Sequence, residues 1–234
     1  MSAKISTIAF DADDTLWENE QFFRITQERF CELLADYTHA DHLAERLLAA
    51  ERRNLGGYGF GIKGFVLSMI ETAIEVTDER VPAKVIKELI EAGQDMLSHP
   101  IHLLEGVEET VRALAADHEI IMVTKGDLLD QERKLAQSGL GDLFDAVEIV
   151  SAKTPPVYAD IFDRHGVTPE RAVMVGNSMK SDVLPPIEVG AWGIYIPHSI
   201  TWTIEHAEAP EGHPRYKHLE ALADLPAFVG SISR

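Results

Sequence analysis

The stretch "FDADDTLW" (10–17) sets three carboxylates, Asp11, Asp13 and Asp14, into four positions directly behind an apolar run. Acids crowded this way repel one another and resist burial, so they either occupy a solvated turn or face something positive. Other residues able to do chemistry also follow apolar runs: Thr124, Lys125 and Gly126 in "VTKGD", Lys153 in "SAKTPP", and Asn177, Ser178 and Asp182 in "GNSMKSD". If these meet, the set combines carboxylates, a hydroxyl, an ammonium and backbone amides. Such a set suits a phosphate dianion, which a carboxylate nucleophile can approach only after charge neutralisation. A hard divalent cation with oxygen ligands, Mg²⁺, is the simplest source of that charge.

The elements that must position these residues read as five short strands: "ISTIAF" (5–10), "EIIMVT" (119–124), "AVEIV" (146–150), "AVMVG" (172–176) and "WGIYIP" (192–197). They are β-branched and nearly continuous in apolarity, as parallel strands covered on both faces must be. Helical patterns lie between the last four, so the expected fold class is α/β, a doubly wound, five-stranded parallel sheet. Ligands of such sheets bind at the C-terminal ends of the strands, where all the residues above fall. About a hundred residues separate the first two strands, and most carry a stripe of helical period. The expected organisation is an α/β core of 1–17 and 100–234 with an all-helical insertion, 18–99. Within it "NLGGYGFGIKG" (54–64) holds five glycines and is expected to be a loop. The last thirty or so residues read as surface wrapping.

Composition narrows the partners. The formal net charge of −18 argues against nucleic acid and anionic membranes, which need a basic footprint. The single cysteine, Cys31, forbids an intrachain disulfide and suits a reducing compartment. With no signal-like start and no run approaching about 18 uncharged apolar residues, a cytoplasmic location is expected. A monomer and a homodimer are equally compatible.

The order and spacing of "DADDT" (11–15), "VTKGD" (123–127), Lys153 and "GNSMKSD" (176–182) resemble the four motifs of the haloacid dehalogenase superfamily. The resemblance spans residues 5 to about 200, and the helical insertion falls where that family inserts its type 1 caps. It implies a Rossmann-like core and a phosphatase-like hydrolase with Mg²⁺ as cofactor and a small phosphorylated metabolite as substrate. Asp11 would be nucleophile and metal ligand. Asp13 would be general acid/base, with its backbone carbonyl on the metal. Thr124 and Lys153 would bind the transferring phosphoryl group, with the backbone near Lys125 and Gly126 completing its cradle. The chain departs from the family in its fourth motif, where Gly176 precedes Asn177 rather than an Asp, so the metal set would be Asp11, Asp13, Asn177 and Asp182. Type 1 caps reach over the active site, which points to Tyr58, Phe60 and Lys63 as contacts for the leaving group, with Trp17 and Arg24 as lesser candidates.

Other readings differ in chemistry. A phosphomutase or a haloacid dehalogenase would share the motifs, but a halide leaves without a proton and has no use for Asp13. A receiver-type signalling module uses similar acids but lacks a long insertion after its first strand. A non-catalytic phosphate-binding relative is hinted at by Asn177 alone.

Overall fold

The apolar runs pair as parallel strands because both faces of each are buried. The computed structural model describes residues 4–233. Its sheet contains β1 (Thr7–Phe10), β2 (Glu119–Lys125), β3 (Ala146–Val150), β4 (Ala172–Gly176), β5 (Trp192–Tyr195) and β6 (Tyr216–His218), in the order β3-β2-β1-β4-β5-β6, all parallel. The α/β class and Rossmann-like order agree with the sequence. The sixth strand is an addition: "YKH" is short, polar and at the edge, so it carries no apolar signature.

Alternation along β1 shows how the sheet is covered. Ile8 and Phe10 face a core shared with Val107, Val111, Leu225 and Val229, from α5 (Val107–Ala115) and α9 (Leu225–Ile232). Ala9 faces the opposite core with Ile121, Met174, Tyr158 and Phe162, the last two from α7 (Pro155–Arg164). Burying such a side chain contributes about 1.5–3 kcal/mol. The chain after β5, expected to wrap the surface, therefore supplies an edge strand and part of the core. Register aligns Phe10 with Met122 on one side and Val175 on the other, so β1, β2 and β4 end at one rim.

The chain divides into two compact units. One comprises the chain up to Glu18, Ile101–Lys125 and the chain from Gln131 onward; the other comprises Asn19–Pro100 with Gly126–Asp130. In the second, α1 (Glu20–Leu33), α2 (Ala40–Tyr58), α3 (Ile62–Val76) and α4 (Ala83–Ser98) surround Phe30, Leu34, Leu47, Met69 and Leu89. The expected loop at 54–64 is mostly helical. Gly56 and Gly57 stay within α2, and only 59–61 break it, with Gly59 and Gly61 at φ of 73° and 111°. Gly64 is required inside α3, since a Cβ there would lie 2.9 Å from the Gly59 carbonyl oxygen. No described helix is long and apolar enough to cross a membrane.

Candidate active site

Each rim residue is delivered by the end of a strand. Asp11 follows β1, and its amide donates to the Val175 carbonyl on β4, which fixes the turn against the sheet (2.8 Å). Thr124 and Lys125 end β2. Asn177 and Ser178 follow β4, and a single π-helical turn, Met179–Val183, then brings Asp182 back over the strand end. Glycine is required at Gly176 because any Cβ would collide with the Asp182 side chain, coming within 2.6 Å of its Cβ.

These turns gather five of the predicted residues. The buried Lys153 ammonium donates to Asp11 Oδ1 and, at 2.7 Å, to Asp182 Oδ1. Asp182 Oδ2 accepts from the Ser178 amide at 2.9 Å. The Thr15 hydroxyl lies 3.3 Å from Asp11 Oδ2 and 3.3 Å from Asn177 Oδ1, and accepts from the Asn177 amide at 3.1 Å. Burial, with Asp182 and Asp13 adding repulsion against the attraction of Lys153, pushes the Asp11 carboxyl up to about 7. Burial alone would lower the Lys153 pKa, but the charges of Asp11 and Asp182 raise it, so the ammonium stays protonated.

Asp13 has partners that sequence reasoning missed. Its Oδ1 accepts from Trp17 Nε1 (2.7 Å) and Lys134 Nζ (2.9 Å), while Oδ2 has a longer contact to Gln131 Nε2 (3.3 Å). The same Gln131 nitrogen lies 2.6 Å from Thr124 Oγ1 and 3.2 Å from the Lys125 carbonyl oxygen. Gln131 and Lys134 are buried on α6 (Leu128–Ser138), one turn apart, yet neighbouring Leu128 and Leu129 are 57% and 69% exposed. Polar residues inward with Leu128 and Leu129 outward is an arrangement that only the fold reveals, and the sequence carries no signal that would have marked Gln131 and Lys134. Trp17 is fully buried, a support for Asp13 rather than a ligand contact.

The remaining predicted residues stand as follows. The Lys125 side chain donates to Ser181 Oγ (2.9 Å) and pairs with Glu205 (2.6 Å), a partner nothing in the sequence suggested. Gly126 adopts φ 140°, a conformation that favours glycine. Tyr58, Phe60 and Lys63 lie in the helical unit, where Tyr58 donates to Glu71 (2.7 Å) and Lys63 pairs with Asp127 (2.9 Å). Arg24 pairs with Glu28 on the exposed face of α1. His198 lies 3.7 Å from Asp14 and 3.5 Å from Glu18, a trio whose ligand atoms all fall within 4.8 Å. Asp14 itself sits in the turn after β1, at φ 60°.

The donor set fits a hard divalent cation. Asp11 Oδ2 and Asn177 Oδ1 converge on a hydroxyl with one hydrogen, which can serve only one of them at a time. Anionic and amide oxygens held together in this way are what Mg²⁺ prefers, and positive charge there would counter the forces raising Asp11.

A doubly wound α/β sheet whose strand ends bring carboxylates, a buried lysine and a hydroxyl to one rim defines a hydrolase-type active site. Residues 5–190 match the family of haloacid dehalogenase-like hydrolases. The chain belongs to that family. It is 41% identical to a haloacid dehalogenase-like family hydrolase from Xanthomonas campestris, over 98% of this chain and 92% of that one, with a TM-score of 0.89. It is 23% identical to N-acylneuraminate-9-phosphatase of Mus musculus, covering 98% of this chain and 96% of the relative. A 2-haloacid dehalogenase from Pseudomonas syringae pv. Tomato DC3000 shares the fold, at 19% identity and a TM-score of 0.63, over 97% and 99% of the two chains.

Proposed function

We propose that this hydrolase is a Mg²⁺-dependent phosphatase that cleaves a small phosphorylated metabolite through an aspartyl-phosphate on Asp11. The observation that carries the reading is Asp13, a carboxylate two residues beyond Asp11 with one oxygen engaged twice and the other only weakly. Because Trp17 and Lys134 occupy Oδ1, Oδ2 is the atom that exchanges a proton. It protonates the leaving alkoxide and then takes a proton from the water that hydrolyses the acyl phosphate. A leaving halide would give this group no task. The similarity to the mouse phosphatase over 96% of its length supports the same choice.

Asp11 Oδ2 faces Thr15 and Asn177, whereas Oδ1 is held by Lys153. Lys153 orients the nucleophile and balances charge on the transferring group. Gln131 donates to Thr124 Oγ1, and the threonine's own hydrogen, which here goes to the Lys125 carbonyl oxygen (3.2 Å), would turn to a phosphoryl oxygen. Mg²⁺ held by Asp11, Asn177, the Asp13 carbonyl and Asp182 would supply the positive charge that lets two anions meet.

Lys134 also enters the charge balance of the site. Against three carboxylates, Asp11, Asp13 and Asp182, the site holds two ammonium groups, Lys134 and Lys153. A divalent cation then leaves a net charge of about +1, which draws in a phosphate dianion despite the acidic chain. The helical unit is proposed to serve as the cap, with Tyr58, Phe60 and Lys63 selecting the leaving group and the cap excluding water. In keeping with the sequence, a cytoplasmic protein, monomeric or homodimeric, is proposed.

The test is phosphate release from p-nitrophenyl phosphate and a panel of phosphorylated metabolites, with and without Mg²⁺, by wild type and Asp11→Asn. Mg²⁺-dependent release that is lost in the variant is expected. Halide release from 2-haloacids with no phosphate release would replace this reading by dehalogenation.

A further inference from the structure

Glu205 lies in the 3₁₀ turn Thr203–Glu205, far along the chain from every motif, yet its carboxylate accepts from three rim residues. One oxygen takes the Lys125 ammonium (2.6 Å); the other takes the hydroxyls of Ser178 (2.6 Å) and Ser181. Lys180 Nζ also donates to the Ile204 carbonyl (3.0 Å), a further tie between the turn and the 177–183 loop, and from the other side Tyr158 on α7 donates to the Ser181 carbonyl (3.0 Å). Lys125 ends β2, and the two serines follow β4. These strands flank β1 in the sheet, so the Glu205 contacts straddle the strand that delivers Asp11.

We propose that Glu205 is a positioning residue: by tying the end of β2 to the loop after β4, it fixes Thr124 on one side of Asp11 and Asn177 and Asp182 on the other. This inference rests on the phosphatase reading for its kinetic consequences and on geometry for the rest. Ser178 adjoins Asn177, and Ser181 adjoins Asp182, so each hydroxyl that Glu205 holds is one bond-chain away from an oxygen donor. The side chain is largely buried and all its contacts are satisfied, as a fixed clamp requires. It also sets a negative charge against the Lys125 ammonium, which donates to Ser181 as well. Misplacement of catalytic groups by about 1 Å can cost on the order of 100-fold in rate, so a clamp at this place has leverage over turnover.

The test compares wild type with Glu205→Ala, Glu205→Gln, Lys125→Met and the double variant Lys125→Met/Glu205→Gln. Three readouts are taken: hydrogen exchange of the 177–183 amides, calorimetric binding of Mg²⁺ alone, and kcat and KM on p-nitrophenyl phosphate. Expected for Glu205→Ala are faster exchange confined to 177–183, Mg²⁺ binding weakened several-fold, and kcat lowered by about 10-fold or more with KM within about threefold. The double variant, which removes both charges, should recover part of the loss seen in Glu205→Gln. Unchanged exchange at 177–183, with Mg²⁺ affinity and kcat within twofold of wild type, would overturn the proposal. So would a loss spread evenly over the molecule, which marks a purely global stabiliser. If Glu205→Ala does not fold, Glu205→Gln carries the same readouts. If the wild type itself hydrolyses no phosphate ester, the functional reading fails, while exchange and Mg²⁺ binding still decide the role of Glu205.

Discussion

Lys134 Nζ lies 2.9 Å from Asp13 Oδ1, so the carboxylate proposed for the proton transfers has a buried cation beside it, separate from the lysine beside Asp11. The two lysines divide the work. Lys153 spans Asp11 and Asp182, and Lys134 holds Asp13 from the side of α6.

Replacing Lys134 by Met keeps the length of the apolar stem but leaves Asp13 Oδ1 with Trp17 alone. The carboxylate loses its fixed orientation, and general acid–base catalysis loses much of its advantage, typically 10²–10⁴-fold. A fall in kcat of about 10- to 100-fold is expected, smaller than the full effect because Trp17 and Gln131 remain. Urea unfolding should show a loss of about 1.5–3 kcal/mol, the range for one hydrogen bond between charged groups. A variant with wild-type kcat would remove Lys134 from the active site.

What the sequence could and could not reveal follows from where each signal resides. The strands were legible because burial on both faces leaves apolar runs, and the rim residues because α/β sheets bind ligands at strand ends. β6 was hidden because an edge strand of three residues needs no apolar run. The glycine-rich stretch misled because glycine marks two things, a broken helix at 59–61 and tolerated helical positions at Gly56 and Gly57. Gln131 and Lys134 looked like the wet face of an amphipathic helix, and only the exposure of Leu128 and Leu129 shows that the face is turned inward. Glu205 was illegible for a different reason: its role depends on tertiary contacts from a loop that has no period of its own.

Asn177→Asp restores a second anionic oxygen next to Asp11. Asn177 Oδ1 and Asp11 Oδ2 already share the Thr15 hydroxyl, so an added charge there has nowhere to relax without a cation. Calorimetric titration should show Mg²⁺ binding several-fold tighter, together with some loss of stability in chelator as the carboxylates repel. Identical Mg²⁺ affinity in both proteins would take Asn177 out of the ligand set.

Gly176→Ala is expected to be among the most damaging single-methyl additions in the chain. The new Cβ would come within 2.6 Å of Asp182 Cβ and closer still to its carboxylate, at the buried end of β4. Either Asp182 leaves Lys153 or β4 shifts. Overpacking of this kind costs about 1–3 kcal/mol, and the displaced carboxylate should lower kcat as well. Gly139→Ala makes the control: its φ of 74° strains the backbone, but a Cβ there meets nothing, so stability should fall while kcat holds.

Acid stability should carry the imprint of Glu205. Burial would raise its pKa, but the Lys125 charge and the hydrogen bonds from Lys125, Ser178 and Ser181 prevail and hold it at about 2, below the ordinary 4.5. The folded protein therefore binds this proton less readily than the unfolded chain. Its contribution to stability is complete above about pH 4.5 and is lost as the pH falls toward 2. Glu205→Gln lacks the contribution at every pH. The gap between wild type and variant, read from urea midpoints, should thus be constant from pH 7 to about 5 and close as the pH approaches 2. A gap that stays constant down to that pH would show that the carboxylate titrates alike in the folded and unfolded chains, and the Lys125 pairing would then be too weak to clamp the rim.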